Sequence, residues 1–403
     1  MEENHMERED RQITGQILDC IRYTKAAAPL LHMIPNDVTA GFCADAISAV
    51  GGRPLMAVAK EEMREIVSSA DGLTVNLGQP SEEKYLACKA ALTAAAESGI
   101  FVTLDPVGAG ASEYRRQMIK KLLEVPWSGV VKGNEAEVHT ILTGCLTHTG
   151  VDSPDHFETG QNAEAFLRAI RAQGRSIILA VTGQPDTIFW LSDRDDRLRQ
   201  IRISHSRRRP FVLVGTGCVA GALLGTFLAA EHMRVQEKKE SGQETDPAFC
   251  TEQAVIAAAA ALSLVAYGGE QQAGQDGQEG QGREAVQEKQ AGQEGRAGER
   301  RQVDHARPGG QIGQVRQSRQ EGRAEREEQN KQYKRDTERF GKVCSGYGSY
   351  KAGVLNILSC LDEREYTKYL ERHLSYDRKI PAGAGGSFLE RPEAKPEEQG
   401  DRE

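Results

Sequence analysis

The sequence predicts an α/β fold in which a largely parallel central sheet is covered by helices on both faces. Short runs rich in β-branched residues alternate with helical patterns between residues 72 and 214. The candidate strands are residues 73–77, 100–104, 129–131, 176–181 and 187–191. This repetition of strand, helix and strand is typical of a parallel sheet packed against helices.

Helix signals lie between and around these strands. Ser81 can accept hydrogen bonds from free amides, the acids that follow it suit the positive end of a helix dipole, and Gly99 ends the alanine-rich run. Apolar periodicity predicts further helices over residues 38–50, 219–230, 254–266 and 354–361.

A polar segment separates the last of these helices from the others. Residues 270–342 consist mainly of Gln, Glu, Gly and Arg, and they contain too few apolar side chains to offset the entropy lost on folding. We therefore expect one domain with a disordered insertion. Its expected parts are the main part 12–269, the insertion 270–342, a C-terminal helical part 343–376 and a disordered tail 377–403, with charged linkers at 194–209 and 236–247.

The charge balance argues against a nucleic-acid or membrane-surface partner. The insertion holds 15 of the 51 basic residues and 14 of the 59 acidic ones, which leaves 36 basic and 45 acidic residues elsewhere. An acidic body is a poor match for polyanions. The charged start 1–11 has no apolar core of a signal peptide, and we see no run of about 20 apolar residues. These features predict a cytoplasmic protein.

The eight cysteines and nine histidines show no pattern typical of a structural site. No CxxC pair occurs, and the spacings are irregular. The cysteines are therefore expected to be free thiols, without a disulfide or zinc framework.

Polar and glycine residues cluster where the candidate strands end. Ligands of open α/β sheets bind beyond the carboxyl ends of the strands, so these residues should line one crevice. They comprise Asn76 to Gly78, Asp105 to Gly110, Lys132 to Glu137, which includes Asn134, and Thr182 with Gly183.

A glycine loop leads directly into the helix predicted near residue 219. In the sequence Gly215-Thr216-Gly217-Cys218 the glycines allow close approach of a ligand. The first amides of the helix then offer donors and a positive dipole end, which suits phosphate. The alternative is a loop that only starts a tightly packed helix. The pattern is neither a P-loop nor GxGxxG.

Two acids at the strand ends could serve a metal. Asp105 and Glu137 could hold Mg²⁺ directly or through water against nucleotide phosphates, or they could instead form salt bridges or cap helices. Lys132 could contact a phosphate or be an ordinary solvated lysine.

Together these segments resemble the hydroxyethylthiazole kinases of thiamine salvage. The resemblance covers residues 30–230 in the family's order and spacing, and a closing Gly-Tyr-Gly-Ser segment at 346–349 resembles its last motif. The motifs are the stretch around Asn36 at 32–45, Gly-Gly-Arg-Pro-Leu-Met at 51–56, Asp-Pro-Val-Gly-Ala-Gly at 105–110, Gly-Asn-Glu-Ala-Glu at 133–137, Val-Thr-Gly at 181–183 and the loop 215–218.

The resemblance implies a ribokinase-like fold and an activity. The γ-phosphoryl group of ATP would pass to the primary alcohol of 4-methyl-5-(2-hydroxyethyl)thiazole with Mg²⁺. Met56 and Gly215 would contact the thiazole, Lys132 and Thr182 the ATP, and Asp105 and Glu137 the metal. The family forms homotrimers with active sites between subunits, so residues near Asn36 would be shared with a neighbour.

Cys218 stands where related kinases carry an aspartate base. A thiol at a helix start can lose its proton more easily, so Cys218 could act as the base, or it could only orient the alcohol. The sequence departs from the family at Pro35, Asp37, Asp45, Lys132 and Val214.

Two alternatives to this activity remain open from the sequence. One is a catalytically weak protein that binds thiazole or nucleotide, motivated by the departures just named. The other is a repair dehydratase for hydrated nicotinamide nucleotides on the same fold. That class carries Asp after Gly-Thr-Gly, where this chain has Cys218.

Overall fold

The computed structural model describes residues 2–145, 159–205, 215–242, 251–272 and 347–377. Nine strands form one sheet: β1 (Leu30–Ile34), β2 (Arg53–Leu55), β3 (Gly72–Asn76), β4 (Val102–Asp105), β5 (Gly129–Asn134), β6 (Ile177–Thr182), β7 (Asp186–Leu191), β8 (Leu198–Ile203) and β9 (Leu374–Asp377). Their order across the sheet is β2-β1-β3-β4-β5-β6-β7-β8-β9.

The described helices are α1 (Glu2–Ala27), α2 (Ala40–Ala49), α3 (Met63–Ser69), α4 (Glu82–Ser98), α5 (Glu113–Leu123), α6 (Glu135–Thr143), α7 (Thr159–Arg171), α8 (Thr216–Glu240), α9 (Thr251–Gln272), α10 (Tyr347–Ser359) and α11 (Glu363–His373). Residues from α3 to α7 pack in one apolar cluster with side chains of the central strands.

The first six strands are parallel, and the last three are antiparallel to their neighbours. Side chains alternate between the faces of a strand. Leu73 and Val75 of β3 accordingly belong to the cluster with α3 to α7. Thr74 between them faces α8 on the other side of the sheet. The predicted largely parallel sheet with helices on both faces is confirmed.

Helix α8 lies unusually close to the sheet because small residues face the strands. A Cβ atom added to Gly225 would stand 1.9 Å from the Thr74 hydroxyl, and one added to Gly72 would stand 2.7 Å from Ala229 Cβ. The spacing of Gly217, Gly221 and Gly225 places them on one face of the helix. Close packing thereby brings the start of α8 over the strand ends.

The sequence located the central strands to within a few residues. All five candidate strands are present as β3 to β7, and Ser81 caps α4 by accepting a hydrogen bond from Lys84 N. The helix predicted at 38–50 is α2, and Gly99 ends α4 in the left-handed conformation at φ 69°.

Both predicted linkers are corrected. The segment 194–209 contains β8, in which Leu198, Ile201 and Ile203 are buried and the polar residues between them are more accessible. The many charged residues of the segment made this strand difficult to predict from the sequence. Helix α8 runs to Glu240 and takes up the first part of 236–247, because its charged end lies on the surface. Residues 206–209 and 243–247 of these two segments lie outside the described part of the chain.

The first helix begins ahead of the predicted boundary at residue 12, which stays a prediction. Helix α1 begins at Glu2, and it anchors the chain by burying Ile13, Ile17, Cys20 and Ile21. The charged N-terminal residues thus begin a helix whose later turns have a buried apolar face.

The chain after the polar segment returns to the sheet. Strand β9 pairs with β8, and Tyr366 of α11 shares a 2.6 Å hydrogen bond with Ser263 of α9. The rings of Tyr267 and Tyr366 lie 5.3 Å apart, and Arg22 of α1 binds Glu363. The predicted insertion beyond Gln272 and the predicted tail beyond Asp377 lie outside the described residues.

The chain divides into two compact units. The first comprises Met1–Glu270 and Val354–Glu403, and the second is Gln271–Gly353. Of the second unit the structure describes the end of α9 and the start of α10, where the Gln272 side chain lies against Gly353.

Helix α9 is long and apolar enough to cross a membrane, although no such run was expected from the sequence. The most apolar stretch of this helix is 78% buried inside the protein. The core helices of globular proteins have the same length and composition, and α9 packs as one of them.

Candidate active site

A cavity of about 380 Å³ lies beyond the carboxyl ends of the parallel strands. This is where open α/β sheets bind ligands. The cavity is lined by Asn36, Val38, Thr39, Gly78, Gln79, Asp105, Val107, Arg115, Lys132, Asn134, Glu137, Thr182, Gly215, Gly217 and Cys218.

Strand register explains why residues far apart in sequence meet here. Asn76 pairs with Asp105 across β3 and β4, and Asn134 pairs with Thr182 across β5 and β6. Leu104 pairs with Val131, so Asp105 is level with Lys132, and Asn134 and Thr182 lie two residues further along their strands. The polar ends of β3 to β6 therefore meet at one edge of the sheet. The crevice predicted from the strand ends is present.

Asp105 and Lys132 form a buried ion pair at the floor of the cavity. Lys132 Nζ lies 3.2 Å from Asp105 Oδ1 and also donates to Gly217 O at 2.9 Å. Burial raises the pKa of Asp105 to about 6, against the effect of the Lys132 charge. Burial acts to lower the pKa of Lys132. The negative charges of Asp105 and Glu137 together have the larger effect, so the lysine pKa is raised. The pair is thus ionised near neutral pH, and Lys132 is not a solvated lysine.

A chain of amide side chains connects this ion pair to Cys218. Asn76 Nδ2 donates to Asp105 Oδ2 at 3.0 Å, and Asn76 Oδ1 accepts from Asn36 Nδ2 at 3.2 Å. Asn36 Nδ2 also lies 3.3 Å from Cys218 Sγ. Asn76 is fully buried and Asn36 nearly so. The network fixes the acid and the thiol relative to each other.

The start of α8 completes one wall. Gly215 has φ 103°, where a side chain would be strained, and a Cβ there would also stand 2.7 Å from Thr39 Cγ2. Val219 N makes the first helical hydrogen bond to Gly215 O, so the amides of Gly217 and Cys218 precede it. Amides at that position have no partner within the helix and suit an anion.

Glu137 caps its own helix. Its Oε2 accepts from Asn134 N at 2.8 Å, and Asn134 Oδ1 accepts from Glu137 N at 2.8 Å. Its Oε1 accepts from Gly108 N at 2.8 Å. The capping role left open by the sequence is therefore real, and it holds the carboxylate at the cavity wall.

The donor set fits Mg²⁺ held mainly through water. All four oxygens of Asp105 and Glu137 already accept hydrogen bonds, and the described residues contain no group of three or more His, Cys, Asp or Glu side chains that could cage a metal. Mg²⁺ commonly keeps several waters and uses one or two carboxylates together with substrate phosphates. The two acids suit that mode.

The cavity includes most of the predicted site residues but not Met56. Gly215, Gly217, Cys218, Asn36, Asn134 and Thr182 line it with the ion pair and Glu137, and Thr216 lies between two lining residues. Met56 follows β2 and is half-buried, outside the lining of this single chain. Its contact with substrate stays a prediction.

Sequence reasoning missed Arg115 and the bridging role of Asn76. Arg115 lies in the first turn of α5, soon after the glycine segment that follows β4. The sequence signal that could have identified Arg115 was a basic residue placed about one helical turn after a glycine loop at a strand end. Asn76 was visible as a polar strand end, but its partners depend on the register of β3 and β4.

Kinases that act on small molecules need donors for phosphate oxygens beside acids that can serve a metal. Both are present at this one edge of the sheet, so fold and site define the chain as a small-molecule kinase. Comparison with known proteins narrows the class. The family model of the hydroxyethylthiazole kinase family matches residues 21–245. The chain belongs to that family.

Named relatives agree with this membership. A hydroxyethylthiazole kinase of Alkaliphilus metalliredigens is 32% identical over 257 residues, which are 64% of this chain and 82% of the relative. One of Syntrophus aciditrophicus is 36% identical over 211 residues, 52% of this chain and 74% of the relative. The solved hydroxyethylthiazole kinase of Pyrococcus horikoshii matches with a TM-score of 0.43 and 25% identity, covering 60% of this chain and 92% of that one. Neither of the two kinases compared by sequence supports the dehydratase or a protein that only binds.

Proposed function

We propose that the protein transfers the γ-phosphoryl group of ATP to the primary alcohol of 4-methyl-5-(2-hydroxyethyl)thiazole, in thiamine salvage. The observation that carries this proposal is the cavity in which the start of α8 contacts the Asp105–Lys132 pair, in a chain of this family. The test is ADP formation by the purified protein with Mg²⁺. We expect ADP to appear only when the thiazole alcohol is added.

The reaction forms one bond to phosphorus and breaks another. The alcohol oxygen attacks the γ-phosphorus, the bond to the β,γ-bridging oxygen breaks, and ADP leaves. The alcohol proton is released to solvent or to a phosphate oxygen. Negative charge on the equatorial oxygens grows during transfer. The first amides of α8 are fixed donors for those oxygens, and fixed donors act most strongly where water is excluded.

Lys132 and Thr182 are proposed to contact ATP, with Asn134 beside them. These three lie at the ends of β5 and β6, whereas Asn36 and Cys218 lie toward β1 and β3. The nucleotide and the alcohol would therefore enter from opposite sides of Asp105. Mg²⁺, when bound through Asp105 and Glu137, supplies positive charge to the phosphates.

Cys218 is proposed to orient the alcohol. Asn36 Nδ2 donates to Cys218 Sγ, which fixes the sulfur, and a loose transition state needs little proton abstraction. We expect Cys218→Ala to lower kcat less than about tenfold, or about 1.4 kcal/mol of barrier. Steady-state kinetics across pH checks this. A loss above about 100-fold, together with loss of the rise in kcat with pH that a general base produces, would instead assign the thiol as the base.

We also propose a homotrimer in the cytoplasm. Two apolar side chains near the β1 and β2 edge are unusually exposed in the single chain, Val38 at the cavity rim and Val58 close to Met56. A neighbouring subunit on that edge would cover them and could bring Met56 into a site. Light scattering on the purified protein tests the trimer, and cell fractionation tests the location.

A further inference from the structure

Arg115 lies at the middle of the cavity edge, and none of the roles proposed above uses it. Its half-buried side chain lines the cavity together with Asp105 and Gly78. It comes from the first turn of α5, where Ser112 Oγ accepts a hydrogen bond from Arg115 N at 3.3 Å. The guanidinium thus extends from a capped helix start.

Two backbone carbonyls hold the guanidinium in place. Arg115 Nη1 donates to Leu77 O at 3.2 Å and to Val107 O at 2.8 Å. These carbonyls follow β3 and β4, so the arginine spans the ends of the two central strands. Gly108 lies beside the guanidinium and has φ 68°, where a side chain would be strained.

The remaining donors of Arg115 have no partner within the described part of the chain. Its Nε and Nη2 make no hydrogen bond there, and no carboxylate there lies within ion-pair distance. Lys132, the other cation of the cavity lining, is already held by Asp105 and Gly217 O. Of the two cations that line the cavity, Arg115 is therefore the one whose remaining hydrogen-bond donors are available to a ligand.

The position of Arg115 indicates which phosphate it serves. The alcohol side of the cavity lies toward β1 and the nucleotide side toward β6, and Arg115 lies between them at β3 and β4. We propose that Arg115 binds the phosphoryl group under transfer, as the γ-phosphate of ATP before reaction and as the phosphate of the thiazole ester afterwards. This assignment rests on the proposed function.

The chemistry of a guanidinium suits that task. A planar fork can give two hydrogen bonds to phosphate oxygens, which a lysine ammonium cannot match. Arg115 takes no part in bond making. Its contribution is to hold the phosphorus in line and to balance charge that the Asp105–Lys132 pair leaves uncompensated.

The test compares Arg115→Gln and Arg115→Lys with the matched control Arg116→Gln. Arg116 is the next residue, but it pairs with Glu113 and does not line the cavity. Calorimetry gives the Kd of ADP and of a non-hydrolysable ATP analogue, each with Mg²⁺, and of the thiazole alcohol and its phosphate.

We expect Arg115→Gln to weaken the ATP analogue and the thiazole phosphate by about tenfold or more, because each loses a charge-assisted contact. ADP and the thiazole alcohol, which lack that phosphate, should change less than about twofold. Arg115→Lys should lie between, since it keeps the charge but not the fork. Arg116→Gln should bind all four ligands like the wild type.

Equal losses for ADP and the ATP analogue would overturn the assignment, because Arg115 would then act only through Leu77 and Val107. Unchanged affinities would overturn it as well. If Arg115→Gln does not fold, the same comparison is made with Arg115→Lys. A wild-type protein that binds the ATP analogue but phosphorylates no thiazole alcohol would contradict the proposed substrate, and the nucleotide comparison would still decide the role of Arg115.

Discussion

At the scale of single residues, the site depends on an uncharged side chain. Asn76 donates to Asp105 Oδ2 and accepts from both Asn36 Nδ2 and Gly78 N. It ties Asp105, which we propose to serve Mg²⁺, to Asn36 and through Asn36 to Cys218, which we propose to lie at the alcohol. A buried amide with all of these bonds made has one orientation, which it imposes on its partners.

Asn76→Asp should disrupt this hydrogen-bond network, although the two side chains have nearly the same shape. It would replace the donor to Asp105 by an acceptor and set a second carboxyl against it. A nearby like charge raises the pKa of Asp105 further above its present value of about 6. We expect kcat/KM at pH 7 to fall at least about tenfold, with the acid limb of the pH profile moved upward.

The control for that substitution is Asn356→Asp, an exposed position of α10. It should leave the pH profile unchanged. An unshifted acid limb in Asn76→Asp would show that Asp105 does not depend on Asn76.

Part of the site was predictable at this scale. Asp105, Lys132 and the 215–218 loop stand out because their residue types and strand-end positions suit phosphate chemistry. The contact of Asn76 with Asp105 and the orientation of Arg115 could not be predicted, because they depend on register and on which side chain fills a shared space.

At the scale of elements, the packing of α8 on the sheet determines how close the first amides of this helix, which we propose to bind phosphate, lie to the strand ends. Gly221 and Gly225 allow that approach, since a Cβ on Gly221 would stand 3.3 Å from Asp105 Oδ2. The helix was predictable from its small residues. Its full length was not, because the charged last turns lack apolar periodicity.

Gly225→Ala should therefore destabilise the protein. The added methyl would meet the buried Thr74 hydroxyl, and overpacking of this kind costs about 1–3 kcal/mol. We expect the melting temperature to fall by about 3 °C or more. Gly15→Ala in α1 is the control, since nothing lies within 4 Å of its Cβ position, and it should melt at or above the wild-type temperature. Equal melting of both variants would contradict the packing account.

Glu231 makes the contact between α1 and α8 sensitive to pH. It is almost fully buried, burial raises its pKa, and Arg234 Nε lies 3.7 Å away. A raised pKa in the folded state favours the protonated acid. Its stabilising contribution is full below the unfolded pKa near 4.5 and is lost as pH rises through the folded value.

Glu231→Gln, which cannot ionise, should raise the melting temperature at pH 8 by about 2 °C or more. The difference from wild type should shrink toward pH 4.5. Arg234 keeps its bond to Asp19 in the variant. Glu240→Gln, at the exposed end of the same helix, should show no such trend. If Glu231→Gln were less stable than the wild type at pH 8, this would contradict the expectation that the buried charge of Glu231 destabilises the folded protein.

At the scale of the whole molecule, a sheet begun by N-terminal strands is completed by the C-terminal one. Strand β9 extends β8, and Tyr376 N donates to Asp10 Oδ1 of α1 at 3.0 Å. The parallel core was predictable from its apolar runs. Strand β9 was not, because four residues at a sheet edge carry little pattern.

Residues 273–342 should be dispensable for this assembly. Their composition offers little apolar area to bury, and Gln272 already contacts Gly353 across the gap. We expect a chain that lacks 273–342, with a short glycine linker in their place, to keep its kcat and melting temperature. A matched deletion of β9 should lower the melting temperature. Loss of activity on removing 273–342 would mean that the segment binds or packs.

We propose that this cavity moves phosphate from ATP to a thiazole alcohol. The most direct measurement is to supply ATP labelled in its γ-phosphate, with Mg²⁺ and 4-methyl-5-(2-hydroxyethyl)thiazole, and to separate the products. We expect the label to appear in the thiazole phosphate ester, in amounts equal to the ADP formed. Label found only in ATP or in free phosphate, with folded protein present, would contradict it.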